Sequence, residues 1–181
     1  TAGAAVVLTD PPPLRGQPQA GQVFRDCPAC PQMVALPAGH FTMGSPASET
    51  ERLDVEGPQH SVSVRPLAVA RFETRFDEWA LCVAEGACPA LDDAGFGRGA
   101  RPVLEVSWDE AQTYVRWLSK KSGKPYRLLA EAEWEYATRA GSTTARYWGD
   151  DPDQACGYAN VWDQTAKQQV EGWQPDDERP L

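Results

Sequence analysis

The sequence predicts an irregular, loop-rich α+β fold in which two to three helices pack on short antiparallel strands. Three observations lead there. The stretch from Arg101 to Gly141 holds two capped amphipathic helices joined by a Gly/Pro turn. The apolar runs before it are short and alternate with a period of two. The 15 Gly, 16 Pro and 7 Trp among 181 residues describe a core pinned by large indoles rather than by long strands. The length fits one folded domain. We divide the chain into a flexible Pro-rich N-terminal segment, residues 1–22, and a domain over 23–181.

Taken in order, residues 1–22, with Pro11-Pro12-Pro13, have no period and read as an extended tether without chemistry. Cys27-Pro-Ala-Cys30 admits a redox dithiol, half a zinc site or a tight structural disulfide. A redox pair belongs at a helix N-terminus, and here Pro31 and a strand follow. A zinc site needs a second closely spaced pair, and the chain has none. The structural bridge is the favoured reading. Met33 to Gly44 reads as two short strands around a Gly turn.

Residues 45–60 form a polar loop whose acids Glu49, Glu51, Asp54 and Glu56 suit a cation or, more simply, solvent. His60 opens the alternating strand Ser61-Val-Ser-Val-Arg65. With His40 the only other histidine, a strand-edge role is favoured over a base or ligand. Leu67 to Phe72 is a further strand. Thr74-x-x-Asp77 reads as a capping box for a helix with Phe76, Trp79, Ala80 and Val83 inward. Cys82 and Cys88 flank Gly86 at that helix's end, where a disulfide clasp is favoured over a functional dithiol. The loop 89–100 contains Gly95-x-Gly97-x-Gly99, but no strand precedes it and no helix opens on it, so a surface loop is favoured over a phosphate cradle.

The central stretch is the most explicit. Ser107 and Glu110 form an S-x-x-E capping box. Trp108, Ala111, Tyr114, Val115 and Leu118 then share one face at helical period, with Asp109, Gln112, Thr113 and Arg116 opposite. Lys120 and Lys121 suit the negative helix end, Gly123 suits a left-handed cap, and Pro125 blocks continuation. A short apolar run follows at Tyr126. Ala130 to Ala140 makes another helix, with Glu131, Glu133 and Glu135 near its positive end and Trp134, Tyr136 and Ala137 expected to be buried. Gly141 ends it.

Asp and Glu outnumber Lys and Arg by 26 to 17, a formal charge of −9, which disfavours a nucleic-acid partner. No run approaches the roughly 18–20 apolar residues of a membrane span. Five cysteines suit an oxidising compartment, periplasmic or secreted, with two local bridges and Cys156 left over. The chain opens on Thr1 rather than Met, which a removed leader and a trimmed sequence explain equally.

Several ordered motifs resemble the formylglycine-generating enzyme family, the sulfatase-modifying factors. They are Pro37-x-Gly39-x-Phe41-x-Met43-Gly44, Glu56-Gly-Pro58-Gln-His60-Ser-Val62, Arg101-Pro-Val-Leu-Glu-Val-Ser-Trp108, Ala111-x-x-Tyr114-x-x-Trp117-Leu118, Tyr126-Arg127-Leu128-x-x-Glu131-Ala-Glu-Trp-Glu-Tyr-Ala137-x-Arg139-x-Gly141, Tyr147-Trp148-Gly149-Asp150 and Cys156-Gly-Tyr158-Ala159-Asn160-Val161. The resemblance implies a C-type-lectin-like fold with structural calcium. It places calcium on Asn160, the Val161 carbonyl, Asp177 and the Arg179 carbonyl, although Glu178 stands where the family usually has Gly. It also implies that the chain is the N-terminal half to two-thirds of the domain. The copper-binding cysteine pair that oxidises a substrate cysteine lies beyond, so neither Cys27/Cys30 nor Cys82/Cys88 inherits that role.

On this reading no catalytic or cofactor-binding residue is assigned within the chain, and copper enters only with the missing C-terminal part. That part, in the same domain or as a second chain, is the expected partner, and Cys156 is free to pair with it. The residues leave open whether the protein is an enzyme. The other reading is a non-catalytic protein that binds a protein or peptide ligand on the same scaffold, as in the variable proteins of diversity-generating retroelements.

Overall fold

A computed structural model describes residues 6–8, 18–50, 52–159 and 161. These include seven strands: β1 (Val6–Leu8), β2 (Val23–Phe24), β3 (Met33–Leu36), β4 (Gly39–Met43), β5 (His60–Val64), β6 (Leu67–Ala70) and β7 (Tyr126–Leu128). Three α-helices are interspersed: α1 (Phe76–Ala84), α2 (Trp108–Ser122) and α3 (Glu131–Arg139). This is the α+β arrangement of helices and short antiparallel strands that the sequence predicts. No helix of the described residues is long and apolar enough to cross a membrane.

Five strands form one antiparallel sheet in the order β2-β3-β6-β1-β7, while β4 and β5 pair separately. Alternation sets the register. Met33 and Ala35 are buried and Val34 and Leu36 only partly so, with Ala35 opposite Ala68 and Leu36 opposite Leu67. The strand β1 corrects one expectation, because it lies inside the segment read as a tether yet pairs with both β6 and β7. Three residues are too few to show a period, but Val6 and Val7 are β-branched residues of the kind a ladder favours. The last strand before α1 stops at Ala70 rather than Phe72, which is half exposed.

The box at the start of α1 sits one residue later than Thr74-x-x-Asp77 predicts. Arg75 is the cap residue, and its N–H donates to Glu78 Oε2 at 3.1 Å. The helix turns Phe76, Glu78, Trp79 and Cys82 inward, while Ala80 is exposed. At α2 the predicted box is present: the Glu110 N–H donates to Ser107 Oγ at 3.3 Å and the Ser107 N–H donates to Glu110 Oε2 at 2.8 Å. Gly123 takes φ 70° at its C-terminus and its N–H donates to Ser119 O, the left-handed cap that glycine adopts without a Cβ clash.

Ala111, Tyr114, Val115, Trp117 and Leu118 are buried, but Trp108, the first helical residue, is 68% exposed. The apolar stripe therefore begins at Ala111. On α3, Trp134 is exposed, whereas Tyr136 packs against Leu67 and Val64. The two are about 200° apart on a helix, so the sequence could not place both inward. Tyr136 is the one that faces Phe41, with ring centroids 5.7 Å apart.

The main core joins the sheet to α1 and α2. Trp79 stacks on Tyr114 with centroids 5.3 Å apart, and Trp117 tilts against Tyr114 at 5.5 Å. Met33, Ala68, Val115, Leu118 and Tyr126 complete it with the sulfurs of Cys30, Cys82 and Cys88. Polar handles are satisfied at its margin: Trp79 Nε1 donates to Pro89 O at 2.8 Å and Trp117 Nε1 donates to Glu85 Oε2 at 2.8 Å. The described residues fall into two compact units. One lies within Thr1–Met43 and His60–Ala137 and holds both sheets; the other lies within Gly44–Gln59 and Thr138–Leu181.

Entry to α3 is fixed by charge. Arg127 grips Glu133 through both guanidinium nitrogens at 2.6 Å, and the Ala130 N–H donates to Glu133 Oε2 at 2.8 Å. The Arg127 hydrogen bonds hold the Glu133 carboxyl below the usual carboxylate range. A carboxylate whose folded pKa is depressed contributes stability above its unfolded pKa, about 4.3 for Glu, and loses it as pH falls through the folded value. Glu133→Gln is therefore expected to lower Tm at pH 7 and to make the decline of Tm from pH 5 to pH 3 shallower. Thermal unfolding across that range checks it, and an acid slope identical to the parent's would contradict it.

Candidate functional site

The cysteines are the first candidates for chemistry. Cys27 and Cys30 form one disulfide and Cys82 and Cys88 another, with Cα separations of 5.0 and 5.3 Å. Cys30, Cys82 and Cys88 lie in the main core. While closed as disulfides, these sulfurs are not thiolates, the form a nucleophile or a metal ligand needs. Both pairs are bridged, as the sequence favours, and Cys156 is the free cysteine, exposed on a short 3₁₀ helix, Pro152–Gly157.

Of the four residues expected to hold calcium, Asn160, Asp177 and Arg179 lie outside the described residues, as does the acid Glu51. Val161 is described and partly buried. Local hydrogen bonds tie together the segment that precedes residue 160. Arg146 and Gly149 exchange both backbone hydrogen bonds at 3.0 and 3.1 Å, and Asp150 Oδ1 accepts from the Ala145 N–H at 2.8 Å. Asp151 caps the 3₁₀ helix, accepting from the Asp153 N–H at 3.0 Å.

Three rings gather along this segment. Trp148 and Tyr158 stack with centroids 5.7 Å apart and planes within 5°, and Tyr147 stands edge-on to both. The sequence marks Tyr147 and Trp148 through a motif, but the stack with Tyr158 depends on the 3₁₀ helix and is not visible in residue spacing.

In the acidic loop, Glu56 bonds to its own neighbours. Its carboxylate accepts from Ser45 Oγ at 2.5 Å and from the Leu53 N–H at 3.1 Å, and these bonds, Ser45 first, hold it below the usual carboxylate range. Asp54 is fully exposed beside Arg52, at 3.8 Å. Gly44 permits the closure: at φ 90° an added Cβ would stand 2.4 Å from Glu56 O. Arg139 completes this corner by donating to Gly44 O and Thr144 O. Among the described residues, no three His, Cys, Asp or Glu side chains converge as a metal cluster.

The histidines and the Gly loop are also accounted for. His60 is exposed opposite Met43 on β5, and His40 Nδ1 lies 2.9 Å from Ser63 Oγ across the two-stranded sheet. Gly99 O and Arg101 O accept from the N–H groups of Asp77 and Phe76. The loop thus presents carbonyls to the α1 N-terminus and uses donors that a phosphate would need.

With this geometry in hand, comparison with known proteins is specific. A model of the sulfatase-modifying factor enzyme 1-like domain matches residues 19–179. The formylglycine-generating enzyme of Streptomyces coelicolor is 32% identical over 164 residues, which cover 65% of this chain and 50% of that protein. The inactive C-alpha-formylglycine-generating enzyme 2 of Mus musculus is 28% identical over 166 residues, covering 66% and 51%. Among solved structures, PvdO from Pseudomonas aeruginosa superposes with a TM-score of 0.63 at 41% identity, covering 70% of this chain and 54% of that one. The chain spans about half the length of the curated relatives it matches.

Proposed function

This chain belongs to the sulfatase-modifying factor enzyme 1-like domain family, and we propose that it supplies the scaffold of a formylglycine-generating-enzyme-like domain whose cysteine-oxidising chemistry resides in residues C-terminal to it. The observation that carries this reading is the state of the cysteines. Four of five are locked in disulfides, leaving Cys156 alone, and a thiolate pair for copper needs two. The described residues therefore do not fit copper.

The test uses a cysteine peptide taken from a sulfatase, incubated in air with this chain and with a longer protein that continues it. Mass spectrometry follows conversion of the thiol side chain to an aldehyde. Conversion by the longer protein alone is the expected result. Conversion by the 181-residue chain would overturn the proposal. Conversion by neither would favour the second reading, a non-catalytic binder of a protein or peptide ligand; a mouse relative named as inactive supports its non-catalytic part alone.

Calcium is the proposed structural ion, held by Asn160, the Val161 carbonyl, Asp177 and the Arg179 carbonyl. Two side-chain and two carbonyl oxygens are the hard donors that calcium takes. An ion bound only by the folded state adds stability by mass action. Tm should accordingly fall when EGTA replaces calcium and recover on calcium readdition. An unchanged Tm would count against Asn160 as a ligand. Two disulfides support the proposed location, periplasmic or secreted.

A further inference from the structure

The two disulfides differ in how their cysteines meet solvent. Cys82 and Cys88 are both buried, at 0% and 7% exposure, whereas the other bridge joins a fully buried Cys30 to a Cys27 that is only partly buried. Exchange with a thiol needs access to one sulfur alone, because the other departs. Cys27 is the end that an external thiolate reaches, and Cys30 is the leaving group. Arg25 Nη1 donates to Cys30 O, which sets a cation beside the residue that must leave as a thiolate. The adjacent carboxylate, Asp26, is engaged by the Tyr126 hydroxyl, which donates to its Oδ2. No helix opens on the pair, so burial and this cation, rather than a helix dipole, set the direction of attack. With a sequence separation of 3 against 6, the Cys27–Cys30 bridge also closes the shorter loop and constrains the unfolded chain less.

We propose that Cys27–Cys30 is a thiol-exchange site for an external dithiol, opened by attack at Cys27, while Cys82–Cys88 stays closed in the folded protein. The incoming thiolate bonds to Cys27 Sγ as the bond between the two cysteines breaks, and Cys30 leaves as a thiolate that takes a proton from solvent. The second thiolate of the dithiol then displaces Cys27, which is protonated in turn. The dithiol ends as its disulfide, and its two electrons and two protons end on the cysteine pair. The resting pair is closed and holds no thiolate, so this exchange is separate from the copper chemistry placed C-terminal to the chain, and neither proposal depends on the other.

The test uses the natural-length protein carrying Cys156→Ser, which removes the exposed free thiol, in dithiothreitol without denaturant. Samples taken over time are quenched in acid, denatured into one maleimide, then reduced and labelled with a heavier one, and peptide mapping reads each pair. Cys27 and Cys30 are expected to open at least about tenfold faster than Cys82 and Cys88, with the near-ultraviolet circular dichroism retained. Equal rates for the two pairs, or a Cys27–Cys30 bridge that resists dithiothreitol until the fold is lost, would overturn the proposal. Oxidised glutathione then probes each end by itself. The Cys30→Ser variant should form its adduct at Cys27 several-fold faster than the Cys27→Ser variant forms one at Cys30. Both variants lack the same bridge, so equal or reversed rates would overturn the assignment of Cys27 as the attacked sulfur.

Discussion

Replacing Trp79 with alanine is expected to lower stability by about 3–5 kcal/mol, the range for removing a large buried aromatic side chain. Trp79 is 2% exposed, stacks on Tyr114 and bonds Pro89 O through its indole nitrogen. Alanine would open a cavity at the centre of the α1–α2 contact, strip one face of Tyr114 and leave a carbonyl without its donor, and these losses share one site. Urea unfolding should show a lower midpoint at unchanged slope. Trp108→Ala is the control, because that ring is 68% exposed and its loss should stay within about 0.5 kcal/mol. Similar losses at both positions would contradict the assignment of the core.

The second large effect concerns the clasp at the end of α1. The Cys82→Ala, Cys88→Ala double variant is expected to lose about 2–3 kcal/mol, the chain-entropy value for so short a loop. Both residues are buried in the main core, so alanine at each also removes sulfur packing without leaving a lone buried thiol. The clasp closes next to Glu85, whose carboxylate binds both Trp117 Nε1 and Lys121. Looser packing there should reach α2, and near-ultraviolet circular dichroism of the double variant should report it together with the fall in Tm. An unchanged Tm would mean that the disulfide does not constrain this end of the helix.

Much of the fold is legible in the sequence because its determinants are local. Ser107 and Glu110 sit three apart and cap α2 as written, and Gly123 ends it in the left-handed conformation. The helix faces are less legible where the tertiary partner decides. Trp108 continues the periodic stripe, yet the core begins one turn later; Trp134 and Tyr136 are both large and aromatic, yet only one can face Phe41. The cap of α1 went to Arg75 rather than Thr74 because Glu78, buried in the helix face, reaches back to the Arg75 N–H. The strand β1 is three residues long, and its place between β6 and β7 comes from pairing with distant segments, which no local pattern encodes.

The candidate site divides in the same way. The disulfide pairs follow from sequence separation and turn residues near each cysteine. The aromatic trio depends on Tyr158 folding back over Trp148, a contact ten residues apart through a 3₁₀ helix, and spacing alone does not reveal it. The calcium donors rest on resemblance, and only Val161 among them is described.

The central claim is that this chain carries no thiol pair able to do cysteine-oxidising chemistry. Its most direct test is alkylation of the denatured, unreduced protein with a maleimide, followed by intact mass and peptide mapping. The account predicts a single label, on Cys156. Labels on both Cys27 and Cys30, or on both Cys82 and Cys88, would reveal an open dithiol and contradict it.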